Sequence, residues 1–191
     1  MNTSNDANEL INSILDREVS EGIPQFCHIS ESEYMLINKS GQMGNLMSAL
    51  QAKHHISIFI KIEMNGNVNF SHITPAQNVE NIKRKGLLAS CSSKEYTTYG
   101  NGNYCFKNSN DWIEDLVRFR KNDLLGYSDD DLHVVTGSYD GTYFYFYRDN
   151  SGGLKRFLFF NENLAVEEIT SYLHFVETVK DHIKDSDSEG Y

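Results

Sequence analysis

The sequence predicts an α+β fold with a mostly antiparallel sheet and flanking helices, and three patterns carry that prediction. Apolar residues alternate with polar ones at Ile56, Ile58, Ile60, Ile62 and Met64, again at Val68 and Phe70, and aromatic runs fill 143–147 and 157–160. Apolar residues at Leu10, Ile11, Ile14, Leu15 and Val19 follow a helical period instead. Turn and cap residues fall between such segments, which is where punctuation is needed.

Taken in order, Asn5 or Asp6 caps a first helix that Gly22 and Pro24 stop. Ser30 and Glu33 have capping-box spacing before a second helix at Tyr34–Ile37, and 45–54 makes a third. Asn65-Gly66 between two alternating runs predicts a hairpin, and Asp140-Gly141 predicts another between strands at 132–139 and 142–147. Gly152-Gly153 turns into a strand over 155–160. Thr74 as N-cap, Pro75 at N1 and Gly86 as terminator bound a helix over 75–85, and 110–121 is helical around Trp112, Ile113, Leu116 and Val117. The organisation expected is a helical N-terminal extension (1–55), an α+β domain (56–180) and an acidic, flexible tail (181–191).

Composition narrows the function classes. The 191 residues are 39% hydrophobic and 12% aromatic, as in a globular chain. The net charge of −10 gives no general attraction to phosphate backbones, so a nucleic-acid partner is disfavoured. Cys27, Cys91 and Cys105 have no CxxC spacing, which argues against structural zinc or a disulfide framework and for a reducing compartment. No apolar run is long enough to cross a bilayer, no signal core precedes residue 10, and no paired-ligand motif indicates a metal. A cytoplasmic protein, or one delivered into a host cytoplasm, is the expectation.

Three short segments carry possible chemistry. His72 ends an alternating strand just before a capped helix, where a cleft edge would lie; taken alone, it reads more readily as a core histidine bonded to a neighbouring carbonyl. Gly100-Asn101-Gly102-Asn103-Tyr104 alternates residues that allow close backbone approach and then offers a flat ring suited to stacking on a heterocycle; it also reads as a turn into an edge strand. Glu162 follows the apolar strand ending at Phe160, so its carboxylate must lie at a rim or be paired. Glu167 and Glu168 compete with it on the same grounds.

In this order, His72 followed by Asn78, Ile82 and Gly86-Leu87, then Gly100-x-Gly102-x-Tyr104 with Phe106, then Phe160-Asn161-Glu162 with Leu164 and Val166 resembles the His–Tyr–Glu class of ADP-ribosyltransferases, the diphtheria-toxin and poly(ADP-ribose) polymerase type. The resemblance covers roughly residues 66 to 178. It implies a split, mostly antiparallel sheet and NAD as co-substrate, with no metal. It implies that His72 bonds the adenosine-side ribose, that the backbone at Ile73 holds the nicotinamide amide, and that Thr74, Gly100 and Gly102 line the cofactor site. Tyr104 would stack on nicotinamide, and Glu162 would bind the nicotinamide ribose and steady an oxocarbenium-like state. The implied activity is mono-ADP-ribosylation of a macromolecule, a protein given the charge, as an effector, toxin or phage-encoded inhibitor. Ile73 departs from the glycine common in relatives, and no second stacking tyrosine is evident. Past Glu162 the family continues in strands, while Val166, Ile169, Leu173 and Val176 suit a helical face. The competing expectation is an acidic, non-catalytic binding module on the same scaffold.

Overall fold

The computed structural model describes residues 3–22, 24–54, 58–89 and 102–188. It is mixed α+β, with helices α1 (Thr3–Leu15), α2 (Glu31–Lys39), α3 (Met43–His54), α4 (Val79–Lys85), α5 (Ile113–Asp123) and α6 (Tyr172–Ser188). The strands are β1 (Gln25–Ser30), β2 (Ile58–Pro75), β3 (Asn103–Lys107), β4 (Leu132–Arg148), β5 (Leu154–Phe160) and β6 (Glu168–Ser171). They are ordered β1-β2-β3-β5-β4-β6, with an additional β2–β4 pairing. β1 runs parallel to β2, whereas β2–β3, β3–β5 and β4–β6 are antiparallel. Among the described residues, no helix is long and apolar enough to cross a membrane.

Neither expected hairpin forms. β2 and β4 each run unbroken through the Asn-Gly and Asp-Gly pairs, with Gly66 at φ +76° and Gly141 at φ +71° inside a strand. A glycine at positive φ serves a strand irregularity as readily as a two-residue turn, so the dipeptide fixes the backbone conformation and not the reversal. Both glycines fall where chain contacts divide the protein into two units, Met1–Gly66 with Gly141–Arg156 and Asn67–Asp140 with Phe157–Tyr191.

In the first unit, the strand faces bearing Cys27, Ile29, Ile58, Ile60 and Ile62 are buried, as are Ile14, Ile37, Leu46, Met47 and Leu50 of the helices. Fully burying each such aliphatic chain contributes roughly 1.5–3 kcal/mol. The capping box at Ser30 forms as expected, the Glu33 side chain returning to the Ser30 amide at 2.8 Å. The same carboxylate takes Arg17 at 2.5 Å, and this guanidinium first of all holds Glu33 below the usual carboxylate range. Tyr34 packs edge-on against Phe144 at 4.9 Å and receives Arg156 on its hydroxyl at 2.9 Å. The alternate strand face is aromatic: Phe59 stacks on Tyr147 at 4.8 Å, and the Lys61 ammonium sits 4.1 Å from the Tyr143 ring centre. β1 itself escaped the sequence reading, because six residues between two helical signals look like a linker.

In the second unit, β2 supplies Val68, Phe70 and Ile73 to the core, with Phe106, Trp112, Leu116, Phe157, Leu158 and Phe160. Gly137 has no side chain for a packing reason. A Cβ there would lie 2.6 Å from the Ala165 carbonyl and 2.8 Å from the Phe70 ring. The helix expected from Thr74 starts later: Pro75 is still extended, Ala76–Asn78 is a 3-10 turn, and no side-chain cap forms. Thr74 stays in β2, its hydroxyl oxygen accepting from Asn78 at 3.4 Å. Gly86 ends α4 at φ +78° as expected. After Phe160 the chain takes both expected forms in turn, the short strand β6 and then α6, whose backbone stays helical to Ser188 through most of the expected flexible tail.

The turn joining β4 to β5 holds Asp149 with Ser151 Oγ at 2.7 Å, the Gly153 amide at 2.8 Å and Lys155 at 3.0 Å. These donors, Ser151 foremost, lower its pKa from 3.8 to about 2. A carboxylate depressed on folding stabilises the folded state fully above its unfolded pKa and loses that contribution as pH falls through the folded value. Asp149→Asn is therefore expected to flatten the dependence of the urea midpoint on pH between 3.8 and about 2, and an unchanged slope would show that the turn contributes nothing there.

Candidate active site

Of the three sequence segments, His72 lies on β2, Tyr104 on β3 and Glu162 directly after β5, and β3 is the neighbour of both other strands. Segments whose successive members are 32 and 58 residues apart in sequence thus arrive on, or just after, three adjacent strands. Gly100 lies outside the described residues.

The β2–β3 ladder consists of Phe70↔Lys107 and Ser71↔Phe106. Just beyond it, the His72 ring takes over: Nδ1 lies 2.8 Å from the Tyr104 carbonyl. A carbonyl can only accept, so Nδ1 carries the proton, and in the neutral ring Nε2 is left with a lone pair. Burial lowers the His72 pKa, partly opposed by this bond. At neutral pH the imidazole is therefore uncharged, with a fixed tautomer.

β3 ties the other side. The Asn103 side chain, 1% exposed, donates to the Glu162 carbonyl at 3.2 Å and to the Leu87 carbonyl at 3.4 Å. Leu87 and Leu164 exchange both backbone hydrogen bonds at 2.9 Å, and the Ala89 amide donates to Asn163 Oδ1 at 3.0 Å. Gly86 makes the approach possible, since a Cβ there would stand 2.9 Å from the Leu164 carbonyl. Glu162 is exposed in a bend; its carbonyl is held by Asn103, and the Ala89–Asn163 and Leu87–Leu164 bonds hold the two residues that follow it.

The Glu162 side chain also has a partner that the sequence reading missed. The Tyr139 hydroxyl donates to Glu162 Oε2, and the Tyr139 ring packs edge-on against Phe160 at 5.5 Å. The hydrogen bond to that carboxylate is the first cause of the raised Tyr139 pKa. The sequence held no signal for it, because Tyr139 preceded a dipeptide taken for a hairpin turn. Glu167 is gripped instead by Ser138 at 2.6 Å. Ser138 and Tyr139 are successive residues of one strand, so the two carboxylates are held from opposite sides of β4.

Strand register decides which groups share a face. Asn103 pairs with Phe160 and Tyr104 with Phe159, and paired residues point to the same side. Phe70 pairs with Lys107, which shares parity with Asn103, and Phe70 indeed touches Phe160 at 5.6 Å. By alternation His72 belongs to the Phe160 face too, and Tyr139, whose ring packs on Phe160, meets Glu162 through its hydroxyl. Tyr104 points the other way. Its ring is stacked on Phe157 at 4.5 Å and on Phe119 at 5.0 Å, with Phe106 edge-on at 5.2 Å. The face of His72 thus receives the backbone of Tyr104, while its ring is engaged in the aromatic cluster beneath α5. Gly102 is likewise spoken for: a Cβ would run into the Phe159 ring and stand 2.7 Å from the Phe160 carbonyl. Ile73 and Thr74 are buried in the last residues of β2.

Cys105 is fully buried, and burial pushes its thiol well above the ordinary value, which makes it a poor nucleophile. Among the described residues, no group of three or more His, Cys, Asp or Glu side chains could hold a metal ion. No family model, curated protein or solved structure matches this chain.

The His72 environment has a measurable signature. A histidine whose pKa is lowered on folding takes up its proton more readily when unfolded, so stability falls as pH drops below the unfolded value of 6.5. His72→Gln keeps a donor for the Tyr104 carbonyl but does not titrate. Thermal melts of the variant are expected to lose less stability than wild type between pH 6.5 and 5; parallel curves would mean that His72 is solvated.

Proposed function

We propose that this chain is a mono-ADP-ribosyltransferase that moves ADP-ribose from NAD to a macromolecular target, a protein rather than a nucleic acid given the net charge of −10. The observation that carries the reading is the convergence of the His72, Asn103–Tyr104 and Glu162 segments on adjacent strands, with the Glu162 backbone clamped by Asn103 and its carboxylate at the surface. A carboxylate at the surface held by Tyr139, and a neutral histidine of fixed tautomer on a strand of the same sheet, support that reading.

In this reading, Nε2 of His72 accepts from a hydroxyl of the adenosine-side ribose while Nδ1 stays on the Tyr104 carbonyl. The end of β2 at Ile73 and Thr74 receives the nicotinamide amide. Glu162 accepts from the 2'-hydroxyl of the nicotinamide ribose and opposes the positive charge that builds at the ribose as the glycosidic C–N bond breaks. Nicotinamide leaves with the bonding pair and becomes neutral. The acceptor's nucleophile then bonds to the ribose carbon and gives up its proton to solvent. A role as effector, toxin or phage-encoded inhibitor would suit that chemistry.

The packing of Tyr104 favours a second reading. Because its ring is already stacked on Phe119 and Phe157, nicotinamide would find there no tyrosine of the expected kind. A non-catalytic acidic module on this scaffold would need none.

The readings separate in one assay. Wild-type protein with labelled NAD and cell lysate is expected to yield a labelled protein band and free nicotinamide. Glu162→Gln should lower both by roughly 10²-fold or more while leaving the melting temperature within a few degrees. Nicotinamide release without a band points to NAD hydrolysis. No NAD binding by calorimetry and no release would favour the binding module.

A further inference from the structure

We infer that Tyr139 is a positioning residue for the Glu162 carboxylate, an inference that rests on the transferase reading above. Glu162 lies two residues past the end of β5, and a carboxylate on three rotatable bonds at an exposed turn would sample many directions. Two features restrict it. Asn103 fixes its backbone, and the Tyr139 hydroxyl takes Oε2. The hydroxyl is itself placed by the Tyr139 ring against Phe160, the residue that pairs with Asn103 across β3 and β5. A closed circuit results: Asn103 to the Glu162 backbone, Glu162 to Tyr139, Tyr139 to Phe160, and Phe160 back to Asn103.

The circuit determines which oxygen is available. With Oε2 committed to Tyr139, Oε1 has no hydrogen-bond partner among the described residues, and it is the acceptor left for a ribose hydroxyl. The tyrosine also offers a donor to the carboxylate in its charged form, the form that opposes an oxocarbenium-like charge. Tyr139 touches neither the reacting bond nor the acceptor in this arrangement; it acts through Glu162.

The test is a kinetic comparison of full-length wild type, Tyr139→Phe, Glu162→Asp and the double variant, reading nicotinamide release from NAD. Tyr139→Phe keeps the ring against Phe160, so its melting temperature should stay close to wild type. Its kcat is expected to fall about tenfold to a hundredfold with KM for NAD unchanged, as for a displaced catalytic group. In the Glu162→Asp background, whose shorter carboxylate no longer meets the hydroxyl, removing that hydroxyl should cost nothing further. A wild-type rate for Tyr139→Phe, a raised KM with unchanged kcat, or a full additional loss in the double variant would each overturn the inference and leave the transferase reading standing. Wild-type protein that cleaves no NAD would overturn both.

Discussion

The second unit depends on one buried amide. Asn103 is almost wholly enclosed, and its two donor bonds join the strand it sits on to the segment after α4 and to the turn after β5. Burying a primary amide without partners would cost about 1–3 kcal/mol, so the geometry around it is specified rather than tolerated. The glycine at 86 and the reciprocal Leu87–Leu164 bonds follow from the same requirement that three segments approach within hydrogen-bonding distance. Position 102, the residue before Asn103, has to be glycine for a related reason, since β5 passes directly over it.

Much of this was written in the sequence, though in a form that local pattern could only half decode. The period-two runs located β2, β4 and β5, and the Ser30–Glu33 spacing located the start of α2, because alternation and capping are local properties of a strand and a helix terminus. Gly66 and Gly141 were legible as positive-φ glycines but not as residues inside long strands. Whether such a glycine reverses the chain or bends it is decided by what pairs with the flanking segments, which is tertiary information. The same limit explains β1, whose six residues acquire meaning only when Ile58 to Glu63 lie beside them.

At the candidate site, the resemblance rests on the order of His72, Tyr104 and Glu162 along the chain, and these residues lie on or just after the adjacent strands β2, β3 and β5. Facing was beyond it. A one-residue difference in register exchanges the two sides of a strand, so motif spacing alone cannot say whether the Tyr104 ring meets the histidine's face or the opposite one. The ring lies in an aromatic cluster with Phe106, Phe119 and Phe157, and the tyrosine beside the glutamate comes from β4. Proline 75 shows a smaller instance: its fixed φ suits a first helical turn or an extended residue equally, and here β2 claims it.

The division of the chain has a bearing on biosynthesis. Each unit is assembled from two separate stretches, and the first is interrupted by 67–140. Tyr34 emerges from the ribosome more than a hundred residues before Phe144 and Arg156, its packing and hydrogen-bonding partners, exist. During elongation the apolar faces of α2 and α3 therefore have only part of their core to rest against, and closure must wait for a long-range contact whose entropic cost is met late. The first unit therefore completes its core only once residues 141–156 have been made, rather than progressively.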